Sequence, residues 1–309
     1  MSILKKCRNG VALLLACMSA ALAGLCFAAC NIRCEEVDVV LFTGQSNMVG
    51  RETEILDVEI PEGYAYEYKY SDNRLTELKN PVGETFGEGD GQLEVSSGSS
   101  IVPQFCLEYV RATGRRIVAV HAAHGGRDIS FFVENQPMYN SIVAKYRACL
   151  DYLNKSRRYK VGRCFYVMFQ GETDTLSTSR EDYKSRYLSF HNALKSQFGF
   201  AFGALLQTGL DVKSINDGKV ELTTEEDVAR IAAAKTELAR ENDDIIMINV
   251  RAMNYHNERP DYMLGDRYGL VHYNGAGLTE IATDSCKALL NYLGYGEAEL
   301  KGADPVTYL

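Results

Sequence analysis

Five short apolar runs recur along this chain: residues 37–43 (VDVVLFT), 117–120 (IVAV), 164–169 (CFYVMF), 202–206 (FGALL) and 245–250 (IIMINV). Each is too short for a stable helix and lacks the polar alternation of a half-exposed strand, so each suits a parallel strand buried on both faces. Helix-like segments cover residues 102–111, 139–154, 180–196, 224–240 and 277–293. In the fourth, Val228, Ile231, Ala232, Leu238 and Ala239 form an apolar stripe beside Glu225, Glu226, Arg230 and Lys235, the signature of an amphipathic surface helix. Strands alternating with helices predict an α/β fold, a three-layer sandwich with a central parallel sheet. The chain has 309 residues, 46% of them hydrophobic, enough to bury one large core in one or two domains. No internal repeat or second core is evident.

Residues 51–100 depart from the pattern, with no strong helical period, a glycine-rich patch at 83–91 and a Ser/Gly patch at 96–100. This stretch is expected to be an irregular surface insertion near the active site. Within it Tyr64, Tyr66, Tyr68 and Tyr70 alternate with Ala65, Glu67 and Lys69, the period of a strand with one aromatic face. Packing against the body is the simpler reading, and a sugar-stacking platform is the alternative.

At the N-terminus Lys5, Lys6 and Arg8 precede an uncharged run at 11–29 that ends in small residues, the layout of a secretory signal peptide. Residues 1–29 are therefore set outside the fold, the α/β body is placed at 30–295 and a C-terminal tail at 296–309. An exported protein is expected, in the periplasm, at the cell surface or secreted. The run is also long enough for an uncleaved membrane anchor, and Cys30 after Phe27-Ala28-Ala29 suits lipidation. The whole chain is acidic, 33 Lys and Arg against 41 Asp and Glu, which argues against nucleic acid as a partner. Cys34, Cys106, Cys149, Cys164 and Cys286 form no C-x-x-C pair. Cys106, Cys149 and Cys164 read as buried thiols.

In open parallel sheets, ligands bind at the carboxyl ends of the strands. Gly44-Gln45-Ser46-Asn47-Met48 follows the first run, His121-Ala122-Ala123-His124-Gly125-Gly126-Arg127 the second, and Gln170-Gly171-Glu172-Thr173-Asp174 the third. His272 lies in a late loop with Asp266. Each segment alone reads as a turn or a cap. Together they supply a hydroxyl nucleophile, donors for an oxyanion and a base, the parts of acyl transfer.

The segments GQSNM, HGGRDIS, FQGETD and GLVHYNGAG resemble the sialate O-acetylesterase-like branch of the SGNH/GDSL hydrolase superfamily, which also includes acetylxylan esterases. The likeness spans about residues 37 to 293. It implies a flavodoxin-like three-layer fold, an acetylated carbohydrate as substrate, and no metal or organic cofactor. It also implies Ser46 as nucleophile, His272 as base, and an oxyanion hole from the Ser46 N–H, the Gly126 or Gly125 N–H and the Gln170 side chain. Gln45, Asn47 and Glu172 would support the site. The family usually places an Asp three residues before the His, where this chain has Gly269. Asp266, six residues before, takes that role if the loop bulges, and Glu172 and Asp174 are the alternatives. A non-catalytic glycan-binding relative is the rival reading, suggested by Gly269 and the Tyr-rich insertion. His121 and His124 have the spacing of metal ligands but lack a completing set. His191 and His256 read as structural or solvated. Arg127 reads as a loop brace, or as a contact for an acidic sugar.

Overall fold

The computed structural model describes residues 34–295. The segments assigned as leader, anchor, lipidation site and tail fall outside those residues. Among the described residues, no helix is long and apolar enough to cross a membrane.

The chain opens with strand β1 (Glu35–Gly44), turns through a four-residue helix α1 (Ser46–Val49), and reaches β2 (Ala65–Lys69) and β3 (Arg74–Glu77). A small pair, β4 (Gly83–Phe86) and β5 (Leu93–Val95), precedes α2 (Ile101–Thr113), β6 (Arg116–Ala123), α3 (Pro137–Lys155) and β7 (Tyr159–Phe169). Then follow α4 (Arg180–Phe198), β8 (Gly203–Leu206), the hairpin β9 (Val212–Asn216) and β10 (Lys219–Leu222), α5 (Glu225–Glu241) and β11 (Ile245–Asn249). The short α6 (Tyr255–Glu258) and the long α7 (Gly275–Tyr292) complete the described chain.

The main sheet has seven strands in the order β11-β8-β7-β1-β6-β2-β3, parallel throughout except for the antiparallel edge pair β2–β3. All five apolar runs become strands and all five helix-like segments become helices. The two faces of β1 feed two cores. Val40 and Phe42 pack with α2 and α7, while Val37, Val39 and Leu41 pack with α3 and α4, the α/β/α layering that the alternation predicts.

Local chemistry fixes the helix starts. Thr224 caps α5 reciprocally, its hydroxyl accepting from Asp227 N and the Asp227 carboxylate accepting from Thr224 N, a capping box that satisfies two otherwise unpaired donors. Ser179 caps α4 and Asn274 caps α7. At the end of the sheet opposite the strand C-termini, fully buried Asp38 accepts from Arg115 Nε at 2.6 Å, Tyr109 OH at 2.6 Å and Arg163 N at 2.7 Å.

The stretch at 51–100 requires a correction. It is not merely an irregular surface insertion, because β2 runs parallel beside β6 and extends the sheet. Tyr66 and Tyr68 are buried in the α3 and α4 core, so their alternation encodes packing and leaves no stacking platform at those two positions. The five cysteines of the body are free thiols, with Cys106, Cys149 and Cys286 buried.

Candidate active site

β1 delivers Ser46 to the carboxyl edge of the sheet at the first position of α1, where helix N–H groups have no partner within the helix. Ser46 lines a cleft of about 500 Å³ together with Gly125 and Gly126 from the loop after β6, and His272 and Asp266 from the loop before α7. Residues as far apart as Ser46 and His272, 226 positions in the sequence, thus meet at the carboxyl edge of the sheet.

The His272 ring is oriented by Asp266, whose Oδ2 lies 2.7 Å from Nδ1. With a carboxylate at Nδ1, that nitrogen carries the proton and Nε2 holds the lone pair, the tautomer a general base needs. The bulge that brings Asp266 close is visible. Gly269 has φ +75°, its N–H donates to Asp266 O at 2.9 Å, and the two residues form an isolated antiparallel bridge. A side-chain-bearing residue adopts that φ only at a cost. Asp266 Oδ1 also accepts from Tyr268 N at 2.8 Å, which fixes the carboxylate plane.

Asn47, next to Ser46, ties three segments together. Its amide nitrogen donates to Glu172 Oε1 at 2.6 Å and to the carbonyl of Val271 at 3.1 Å. Gln45 Oε1 accepts from the Gly171 and Thr173 N–H groups at 3.2 and 3.3 Å. Glu172 is fully buried. Burial raises its pKa to about 7, against the opposing influence of the Asn47 hydrogen bond and the Lys235 charge. Lys235, also buried, donates to Leu206 O and Thr208 Oγ1.

The Gln170 reading is corrected by its surroundings. Its Nε2 donates to Asp174 Oδ2 at 2.5 Å and to Arg127 O at 3.1 Å, and its Oε1 accepts from Tyr183 OH at 3.0 Å. Both amide hydrogens are engaged away from the cleft, so this geometry offers no Gln170 donor to an oxyanion. Asp174 accepts from Ile129 N as well; it and Glu172 have partners other than His272, which leaves Asp266 as the acid at the ring.

The remaining histidines serve packing. His121 Nε2 lies 3.1 Å from Met48 O, His124 Nδ1 2.6 Å from Gln92 O, His191 Nδ1 2.8 Å from Tyr166 OH and His256 Nε2 2.6 Å from Glu225 Oε1. Among the described residues no group of three or more His, Cys, Asp or Glu side chains is placed to hold a metal ion. Arg127 pairs with Asp90 at 3.2 Å and lies over the Phe131 ring.

Sequence reasoning missed several residues of the cleft: Arg51, Ser97, Asp211, Val212, Arg267 and Tyr268. Asp211 follows β8, so the strand-end rule applied once more would have found it. It accepts from Val212 N at 2.7 Å and from the Thr173 hydroxyl, and burial raises its pKa.

The family of carbohydrate esterases described as sialic acid-specific acetylesterases matches residues 36–252. The chain belongs to that family. The match ends before Asp266 and His272, so the placement of these two rests on the geometry above. A search of curated proteins gives no match. Among solved structures, an Arabidopsis thaliana protein shares 14% identity and a TM-score of 0.59, covering 82% of this chain and 98% of its own. NanS shares 12% identity and a TM-score of 0.56, covering 84% and 98%. A carbohydrate acetylesterase from Xanthomonas citri shares 12% identity and a TM-score of 0.53, covering 85% of this chain and 58% of its own. At these identities the likeness establishes the shared fold of the family member.

Proposed function

We propose that this family member is an exported serine esterase that removes O-acetyl groups from glycans. The observation that carries the reading is the His272–Asp266 contact at 2.7 Å on the wall of the cleft that also holds Ser46. His272 Nε2 accepts the Ser46 proton as Oγ attacks the acetyl carbonyl, and Asp266 stabilises the imidazolium that forms. The Ser46 and Gly126 N–H groups receive the developing oxyanion. Collapse of the tetrahedral species breaks the ester bond, and His272 returns the proton to the departing sugar oxygen. Water, activated by the same imidazole, then releases acetate and restores Ser46.

The substrate class is an acetylated sugar hydroxyl, of sialic acid, xylan or a similar glycan. Export rests on the composition of residues 1–29, with anchoring and lipidation as the other outcomes for that segment. The glycan-binding reading loses its main motive, because Asp266 occupies the place beside His272 that Gly269 left vacant in the sequence. Acetate release from p-nitrophenyl acetate, present in wild type and absent in Ser46→Ala, tests the proposal. Equal release by both proteins would overturn it.

A further inference from the structure

We propose that Arg51 is a catalytic residue of this site, donating from its guanidinium to the oxygen that becomes the oxyanion. The inference rests on the esterase reading and deepens it. Arg51 lines the cleft with Ser46, Gly125, Gly126 and His272. A methyl group placed on Gly125 would lie 2.2 Å from Arg51 Nη2 and 3.5 Å from Ser46 Cβ, so the missing side chain at Gly125 is what admits the guanidinium to the nucleophile's side. Any larger residue there would displace it.

The guanidinium is held in place. Glu94 on β5 accepts from Arg51 Nη2 at 2.6 Å, and the same carboxylate oxygen is 3.4 Å from Gly125 N. Glu94 thereby ties the arginine to the loop that carries the backbone donor Gly126. One bond to Glu94 leaves further N–H groups of a five-donor fork unclaimed by that contact, and the Arg51 side chain, which lines the cleft, remains 27% exposed.

Two observations favour the reacting oxygen over a substrate carboxylate as its target. First, the Gln170 amide is spent on Asp174 and Arg127 O, so beside the two backbone N–H groups the place of a side-chain donor is open to Arg51. Second, the cleft already holds the carboxylates of Asp211 and Asp266, and Glu94 occupies part of the fork that would grip a carboxylate bidentately. A charged donor fixed before the reaction stabilises developing negative charge without reorganising. No proton leaves Arg51 during the step.

The test compares wild type, Arg51→Ala and Arg51→Lys on p-nitrophenyl acetate and on a mono-O-acetylated methyl glycoside, with thermal melting as the folding control. Arg51→Ala should lower kcat by roughly 10² to 10³-fold on both esters with KM little changed, the loss expected for one oxyanion donor. Arg51→Lys should recover part of it. Modification of Ser46 by a neutral phosphonate ester, followed by intact mass, should slow in parallel, because the phosphonyl oxygen occupies the oxyanion position. Should the Ala variant fail to fold, Glu94→Gln serves instead and should lower kcat about tenfold on both esters by loosening the guanidinium. Undiminished kcat on p-nitrophenyl acetate, a loss confined to KM for the glycoside, or unaltered phosphonylation would each overturn the proposal. Failure of wild type to release acetate would instead overturn the esterase reading on which it stands.

Discussion

Asn47 donates to Glu172 at 2.6 Å, and that bond explains why a GQSNM segment and a QGE segment belong together. The same amide nitrogen reaches the carbonyl of Val271, the residue before His272. One side chain therefore sets the spacing of the Ser46 loop, the loop after β7 and the loop that bears His272.

Asn47→Ala should remove both bonds and leave the Glu172 carboxyl buried without its donor. Leaving a buried carboxyl without its hydrogen-bond partner costs about 1 to 3 kcal/mol. We expect a corresponding fall in unfolding free energy by urea titration, together with a fall in kcat of at least tenfold as the base loop loses its tether. Unchanged kcat in the folded variant would show that the tether does not set the Ser46 to His272 geometry.

Glu172 also predicts a pH effect on stability. Its folded pKa of about 7 lies above the ordinary value of 4.5, principally through burial, so the fold favours the protonated form. The contribution is fully present below the unfolded value and is lost as pH rises through about 7. Glu172→Gln keeps an acceptor for Asn47 and cannot ionise. Between pH 4.5 and 7 the stability of wild type should decline relative to this variant as pH rises, read from urea midpoints across the range. Parallel curves would mean that Lys235 holds Glu172 ionised throughout.

Gln170→Ala should behave as a loop variant. It removes one bond from the Asp174 carboxylate, which keeps Ile129 N, and one from the Tyr183 hydroxyl, which keeps the Gln170 backbone carbonyl, so each loss is that of an ordinary hydrogen bond, about 0.5 to 1.5 kcal/mol. The expected signature is a lower melting temperature with kcat reduced less than 10²-fold. A loss of 10² to 10³-fold at unchanged melting temperature would instead place its amide at the oxyanion.

The alternating runs made the sheet and its helices legible, because burial on both faces leaves an uninterrupted apolar stretch that no other element requires. The polar segments at three strand ends were legible for the same topological reason. β2 was harder to read: Tyr66 and Tyr68 mark a strand, but only the neighbouring β6 decides that it joins the sheet. Arg51 and Asp211 gave no motif, since each is recruited by a turn whose path depends on tertiary contacts. Gln170 shows the reverse error. Its position in a motif is plain, whereas the direction of its amide is decided by Asp174 and Tyr183.

The Gly269 bulge yields the sharpest prediction about the site. Asp266 lies six residues before His272 and reaches its ring only because the intervening chain folds back through a left-handed residue. Asp266→Asn should leave the fold and KM nearly unchanged while lowering kcat by as much as about 10⁴-fold, since the amide can present a donor to Nδ1 and favour the wrong tautomer. Gly269→Val attacks the same contact through the backbone, because a β-branched residue at φ +75° is strained. It should lower kcat in the same direction with Asp266 chemically intact, and combining the two changes should give little more loss than Asp266→Asn alone, as for residues acting through one contact. A fully additive double variant would show that Gly269 acts on something other than the Asp266–His272 bond. Near wild-type kcat in Asp266→Asn would leave His272 to work with Ser46 as a dyad.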